Sequence, residues 1–234
     1  MNFIPISSSS KGNAYIVEAD GVPTSLLLEA GIPIRQLKEK LGFNLSKIAG
    51  CLISHEHQDH SKAVKDLLYY GIECYMSKGT ADALGVTDHH RTHLATAGWM
   101  FQVLPWRIMP FNLQHDASEP VGYLIAHGDD RLLFVPDTAY VKERFNGVTV
   151  AAIECNNIAE ILSRNIQSGG IDPAAGRRIR HNHMNLETLI SMLKANDLSR
   201  CRRIYLMHLS DANSDERRMK EEVQAATGIP TEIC

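Results

Sequence analysis

A dense group of potential metal ligands occupies six consecutive positions, His55-Glu56-His57-Gln58-Asp59-His60. The group directly follows the apolar run Ile48–Ile53, which predicts a buried strand. In an extended loop end, the first two histidines can converge on one ion, while the aspartate and the last histidine can turn toward a second. Imidazole and carboxylate together suit zinc, manganese or iron. The hexapeptide therefore predicts a metal-binding loop rather than an ordinary polar surface loop.

The elements around this loop alternate between strands and helices. Segments 14–18 and 25–29, separated by turn residues, predict a hairpin, and segment 34–41 has the apolar spacing of a helix. Strand patterns dominate from Met100 to Val135, and helical patterns return after Ile158. This order predicts an α/β fold of two mixed β-sheets packed face to face with helices on the outer faces. The Gly-, Arg- and His-rich segment Ser168–Met184 is expected to be irregular and to form a substrate loop.

Composition limits the class of protein. A chain of 234 residues without a repeat or linker predicts a single domain over residues 1–234. Its five cysteines lack CxxC spacing, which argues against a disulfide framework and a thiolate zinc site. No apolar stretch approaches the roughly 18 residues that span a bilayer, and the first residues lack a secretory pattern, so we expect a cytoplasmic protein with no membrane partner. With a net charge of −3, any contact with nucleic acid must be a local patch.

The histidine motif, His-x-His-x-Asp-His after a strand, resembles the signature of the metallo-β-lactamase superfamily, whose αββα sandwich matches the predicted element order. The resemblance implies further ligands at strand ends: His115 resembles the histidine of the third motif, Asp137 the bridging aspartate, and His208 the last histidine. It also implies two divalent ions. Site one would comprise His55, His57, His115 and Asp137, and site two Asp59, His60, Asp137 and His208.

Other segments resemble the YycJ/WalJ-type exonuclease branch of that superfamily. They are the run Ser7–Ala14, the segment His115–Gly122 and the late His-Leu-Ser at 208–210. The branch implies cleavage of phosphodiester bonds in DNA. In the wider family an aspartate that supports the metal loop corresponds to Glu29. The longer glutamate either hydrogen-bonds a ligand or the loop backbone, or it is an exposed strand end.

Further residues are candidates for catalysis and substrate binding. Asp59, a ligand with a second oxygen, could take a proton from the attacking water. His183 resembles a histidine that precedes the corresponding helix in the nuclease branch, where it would contact phosphate or protonate the leaving group; the alternative is a helix-entry residue pointing to solvent. Guanidinium groups bind phosphate without reading sequence. Predicted substrate contacts are Arg177, Arg178 and Arg180, in what is otherwise a solvated loop, and Ser8, Ser9 and Asn13.

These observations favour a binuclear metal-dependent phosphodiesterase, specifically a DNA exonuclease that uses a metal-bridging hydroxide. Two bound ions of zinc or manganese, with iron left open, would lower the pKa of water and neutralise a phosphate oxygen. Alternatives on the same fold are a ribonuclease, a small-nucleotide phosphodiesterase that includes cyclic substrates, and a thioester or lactone hydrolase. The non-enzymatic alternative is a metal-dependent binding module. The partner is a nucleic acid or nucleotide in the leading hypothesis, and a homodimer is left open.

Overall fold

The computed structural model describes residues 1–234, and its strands form two mixed β-sheets of six and seven strands. The strands are β1 (Asn2–Ser7), β2 (Ala14–Glu18), β3 (Ser25–Leu28), β4 (Ile48–Leu52), β5 (Cys74–Met76), β6 (Thr92–Leu94), β7 (Phe101–Val103), β8 (Trp106–Asn112), β9 (Val121–His127), β10 (Asp130–Val135), β11 (Val150–Glu154), β12 (Arg203–Met207) and β13 (Thr231–Ile233). The helices are α1 (Ile34–Lys40), α2 (Gln58–Ser61), α3 (Val64–Tyr69), α4 (Lys78–Leu84), α5 (Ala159–Gln167), α6 (Pro173–Asn182), α7 (Leu186–Lys194) and α8 (Glu216–Thr227).

The chain divides into two compact units, of which unit 1 comprises Met1–Asn112 and Ala117–Asp130. Its sheet runs in the order β1-β2-β3-β4-β5-β6, antiparallel at first and parallel from β3 onward. Apolar side chains of β2, β3, β4 and β5 and of α1, α3 and α4 form one buried cluster. Burial of β4 within this cluster explains its continuous apolar sequence, and the chain leaves β4 directly into the histidine motif.

Unit 2 comprises Leu113–Asp116 and Arg131–Cys234. Its strands β10, β11, β12 and β13 are neighbours in sequence order and all parallel. Helix α8 packs against α7 and β13. Every residue of β11 is buried, as expected for a strand inside a parallel sheet. Because parallel strands end at a common edge, Asp137 after β10, Glu154 at the end of β11 and His208 after β12 lie at one edge of this unit.

Most predicted elements are confirmed, including the hairpin of β2 and β3, helix α1 and strand β4. The prediction of an irregular loop over residues 168–184 is wrong, because α6 occupies most of that segment. Asp172 caps this helix by accepting hydrogen bonds from the backbone N–H groups of Ala174 and Ala175. Gly176 lies within this helix at a point where a Cβ would stand 2.4 Å from Cδ1 of Ile166 on α5. The glycine thus serves close packing of α6 on α5 rather than a loop.

No helix of the chain is both long enough and apolar enough to cross a membrane. The assignment of residues 1–234 to a single domain stays a prediction.

Candidate metal centre

The histidine motif in unit 1 brings its imidazole rings together. The ring centroid of His55 lies 4.6 Å from that of His57 and 4.2 Å from that of His60. The motif changes conformation midway, since α2 begins just after His57 and carries Asp59 and His60 on a helical turn. The extended half and the helical half therefore present their side chains to a common region.

Neighbouring groups orient two of these rings. The Nδ1 atom of His55 lies 2.8 Å from the hydroxyl of Ser54, and the Nδ1 atom of His60 lies 3.6 Å from Oε2 of Glu29. Glu29 is fully buried, and its Oε2 also accepts a hydrogen bond from the backbone N–H of Ser54 at 3.3 Å. These partners leave Nε2 as the ring nitrogen suited to a metal bond.

Glu29 is thus not an exposed strand end, and its contacts agree with the supporting role that the resemblance implied. Its backbone lies in the left-handed region at a φ of 61°, which is unfavourable for a residue with a side chain. The same is true of His208 in unit 2, at a φ of 54°. Such strain persists only where the surrounding structure enforces it, and it concentrates at functional sites.

Unit 2 gathers the remaining predicted ligands at the edge where its parallel strands end. His208 Nδ1 lies 3.0 Å from Oδ1 of Asp137. His115 Nδ1 lies 2.9 Å from the backbone carbonyl of Asn182, which can only accept, so Nδ1 carries the proton and Nε2 the lone pair. The ring centroid of His183 lies 5.1 Å from that of His115 and 5.5 Å from that of His208. His183 therefore lies among these groups rather than pointing into solvent.

Glu154 is the main functional candidate that sequence analysis missed. It is fully buried, and its Oε1 lies 2.6 Å from Nδ1 of His183 and 3.1 Å from Nδ1 of His208. Its Oε2 accepts hydrogen bonds from the backbone N–H groups of Thr138 and Met184 at 2.9 and 3.0 Å. The one sequence signal was a charged residue ending an otherwise apolar strand. Both oxygens are engaged, so Glu154 orients the two histidines rather than coordinating an ion.

The electrostatics of unit 2 follow from this burial. Burial lowers the pKa of His115, so its neutral, ligand-competent form is favoured. For His183, burial also lowers the pKa, but the charge of Glu154 and the hydrogen bond to it outweigh that effect and raise the pKa. Burial raises the pKa of Glu154, and the neighbouring His183 more than compensates, so the net shift is downward. Glu154 and His183 consequently favour the ionised carboxylate beside a protonated imidazole.

The predicted substrate residues have diverse environments. On α6, the exposed arginine Arg178 pairs with Asp116 at 2.7 Å, and Arg180 donates to the hydroxyl of Ser163 at 2.9 Å. Arg177 is exposed on the same helix, so the three arginines share a helix rather than a flexible loop. The remaining three candidates precede β2: Ser8, Ser9 and Asn13. Asn13 is completely buried, and this burial argues against its predicted contact with substrate.

Comparisons with known proteins agree with the fold. The model of the Beta-lactamase superfamily domain matches residues 24–209. The Exodeoxyribonuclease WalJ of Streptococcus pneumoniae is 28% identical over 225 residues, with 89% of this chain and 81% of that protein covered. The Exodeoxyribonuclease YycJ of Bacillus anthracis is 27% identical over 228 residues, covering 92% and 84%. The solved structure of the metallo-β-lactamase fold protein YhfI from Bacillus subtilis aligns with a TM-score of 0.75 at 16% identity, covering 99% and 95%.

The chain belongs to the metallo-β-lactamase superfamily of metal-dependent hydrolases. Its α/β fold of two mixed sheets with helices is the fold of that superfamily, which confirms the predicted fold class. The chemistry of the donor set fits divalent ions, because imidazole nitrogens and carboxylate oxygens cluster in each unit. In unit 2, Nδ1 of His208 and Oδ1 of Asp137 lie 3.0 Å apart, beside Glu154 and His183.

Proposed function

We propose that the protein is a binuclear metal-dependent phosphodiesterase that acts as a DNA exonuclease. The proposal is carried by the histidine motif and its supporting residues, which lie in a hydrolase of this superfamily. The relatives of the chain are named exodeoxyribonucleases. Those relatives match about nine-tenths of this chain, so the similarity extends well beyond the motif. The exposed arginines of α6 favour a phosphate-bearing substrate over a thioester or lactone, which would require an apolar acyl pocket.

The proposed ligands are those that the resemblance implied. One ion would be held by His55, His57, His115 and Asp137, and the other by Asp59, His60, Asp137 and His208. The proposal includes a single domain over residues 1–234, because each ion would take ligands from both halves of the chain. Zinc and manganese are the proposed metals, since both accept mixed imidazole and carboxylate ligands.

In the proposed chemistry, the bound ions would lower the pKa of water to supply a nucleophile near neutral pH and would offset charge on the phosphate. Asp59 would take the proton of the attacking water on its carboxylate. His183 would protonate the leaving alkoxide from Nε2, because the contact with Glu154 holds Nδ1. The α6 arginines, together with Ser8 and Ser9, would bind phosphates along the substrate.

The test is digestion of end-labelled single-stranded and double-stranded DNA after metal removal and after addition of manganese or zinc. The wild type should shorten linear DNA from one end and leave circular single-stranded DNA intact. The variant with both Asp59→Ala and His60→Ala should lose this activity. The matched control is His90→Ala, at an exposed histidine outside the motif, which should digest DNA like the wild type.

Three outcomes would contradict the proposal. Equal activity of the double variant and the wild type would reject the ligand assignment. Faster turnover of RNA, a cyclic dinucleotide or a lactone than of DNA would move the protein to another activity of the fold. A protein that holds stoichiometric metal and binds one of these substrates but cleaves none of them would favour a metal-dependent binding module.

A further inference from the structure

Asn13 contacts Asp59 and His60, which lie in the helical half of the histidine motif. Its amide nitrogen Nδ2 lies 3.2 Å from the backbone carbonyl of Asp59, 3.5 Å from Oδ2 of the same residue and 3.2 Å from Nε2 of His60. Asn13 has no exposed surface and stands immediately before β2, where the Ser-rich segment ends. A buried amide so close to two proposed ligands acts on those ligands rather than on substrate.

The orientation of this amide follows from its neighbours. Its Oδ1 lies 3.1 Å from the backbone nitrogen of Ser9 and 3.1 Å from the hydroxyl of Tyr15. The backbone N–H of Ser9 can only donate, so the atom that faces it must be the oxygen. The hydroxyl of Tyr15 lies 2.8 Å from that of Ser8 in turn. Ser9 and Tyr15 thereby turn the N–H donors of Asn13 toward Asp59 and His60.

The backbone reinforces this arrangement. The backbone N–H of Asn13 donates to the carbonyl of Asp59 at 2.7 Å, and the backbone N–H of Gly31 donates to the carbonyl of Asn13 at 2.8 Å. A Cβ at Gly31 would stand 1.6 Å from the Asp59 carbonyl oxygen, so the absence of a side chain there permits the close approach. The Asp59 turn is therefore held by Asn13 through both its main chain and its side chain.

The His60 ring is held beside the Asp59 carboxylate. Its Nε2 lies 3.2 Å from the amide nitrogen of Asn13 and 3.4 Å from Oδ2 of Asp59. The Asn13 amide therefore stands between the two side chains and fixes their positions before an ion arrives. An ion bound at Nε2 would replace the contact of that atom with Asn13.

We propose that Asn13 is a positioning residue that prepares Asp59 and His60 for metal binding. It fixes the Asp59 turn and the position of the His60 ring before an ion arrives, so binding requires less ordering of the site. The inference rests on the proposed role of these two residues as ligands, and it does not depend on the identity of the substrate.

The test measures the environment of the His60 ring and the metal affinity, neither of which requires substrate. In metal-free protein with ¹⁵N-labelled histidine, the ring signals of His60 are assigned by their loss in His60→Gln. They should shift in Asn13→Ala, because the amide beside Nε2 is removed. Competition with a fluorescent chelator should show metal affinity reduced about 10- to 100-fold, the range found when groups that orient metal ligands are removed.

Tyr15→Phe provides a second variant that keeps Asn13 and its packing. It removes one hydrogen bond that holds the amide, so metal affinity should fall about 3- to 10-fold. Tyr69→Phe, at a tyrosine that is 84% exposed, is the matched control and should bind metal like the wild type. Circular dichroism identifies a variant that fails to fold, in which case Tyr15→Phe decides.

Unchanged His60 ring signals and metal affinity in folded Asn13→Ala, or unchanged affinity in Tyr15→Phe, would overturn the inference. The proposed function is tested separately. Reduced metal affinity in these variants together with a wild type inactive on DNA would support the role of Asn13 and reject the nuclease. Metal-dependent digestion of DNA by the wild type, together with unchanged metal affinity in both variants, would support the nuclease and reject the role of Asn13.

Discussion

Replacing Glu154 separates its effect on stability from its effect on catalysis. The carboxylate accepts hydrogen bonds from two buried backbone N–H groups through Oε2 and faces two imidazoles through Oε1. Glu154→Ala leaves both N–H groups without an acceptor, at about 1–3 kcal/mol each, or roughly 2–6 kcal/mol in total. Small domains are stable by about 5–15 kcal/mol, so this variant should be strongly destabilised.

Glu154→Gln should behave differently. The amide oxygen can still accept from the two N–H groups, and removing a buried charge offsets part of what is lost, so stability should remain within about 2 kcal/mol of the wild type. The amide NH₂ group would then face Nδ1 of His183 and of His208. His208 keeps Oδ1 of Asp137 as an acceptor 3.0 Å from its Nδ1, whereas His183 would lose the carboxylate that favours its protonated form and thus the charge that makes it a good acid.

The expected result for Glu154→Gln is a folded protein whose kcat falls about 10²- to 10⁴-fold, the range attributed to a positioned general acid. Urea unfolding gives the stability, single-turnover digestion of DNA at saturating manganese gives the rate, and Glu221→Gln, at an exposed position on α8, is the control. Near wild-type kcat in Glu154→Gln, or equal stability of the alanine and glutamine variants, would refute the reasoning.

Three further predictions concern close packing, pH and charge. Gly31→Ala should lower the free energy of unfolding by about 3 kcal/mol or more and weaken metal binding, because its Cβ would overlap the Asp59 carbonyl. The control is Gly128→Ala, at a φ of 55° with open space around the Cβ, which should lower it by about 1–2 kcal/mol in the same denaturant titration. The pKa of Glu73 is lowered, since hydrogen bonds from His93 and Arg91 outweigh the upward effect of burial. Its stabilisation should therefore be present above the unfolded pKa near 4.3 and be lost as the pH falls through the lower folded pKa, so Glu73→Gln should destabilise more at pH 6 than at pH 3. Alanine at all three α6 arginines should raise KM for DNA and flatten its salt dependence, with a change of less than about 1 kcal/mol in the free energy of unfolding, because these side chains are exposed; an unchanged salt dependence would contradict their contact with phosphate.

Much of the fold was predictable from local patterns. The hairpin of β2 and β3, helix α1 and strand β4 have the apolar periodicity of their final structures, and the histidine motif follows β4 as predicted. The segment that became α6 was not predictable in this way. Its glycine and arginines resemble a loop, and the glycine is explained only by its contact with Ile166 on α5.

The candidate site shows the same limit. The sequence alone indicated the ligand loop, because five ligand-type side chains within six residues after a buried strand, four of them proposed ligands, need no distant partner to be recognised. Tertiary structure decided the roles of Glu154 and Asn13, which resemble an ordinary strand end and a turn residue in the sequence. Parallel pairing brings Glu154 to His183 and His208, and the close approach at Gly31 brings Asn13 to Asp59 and His60. Metal ligands are marked by their own chemistry, whereas the residues that orient them are defined by what folding places beside them.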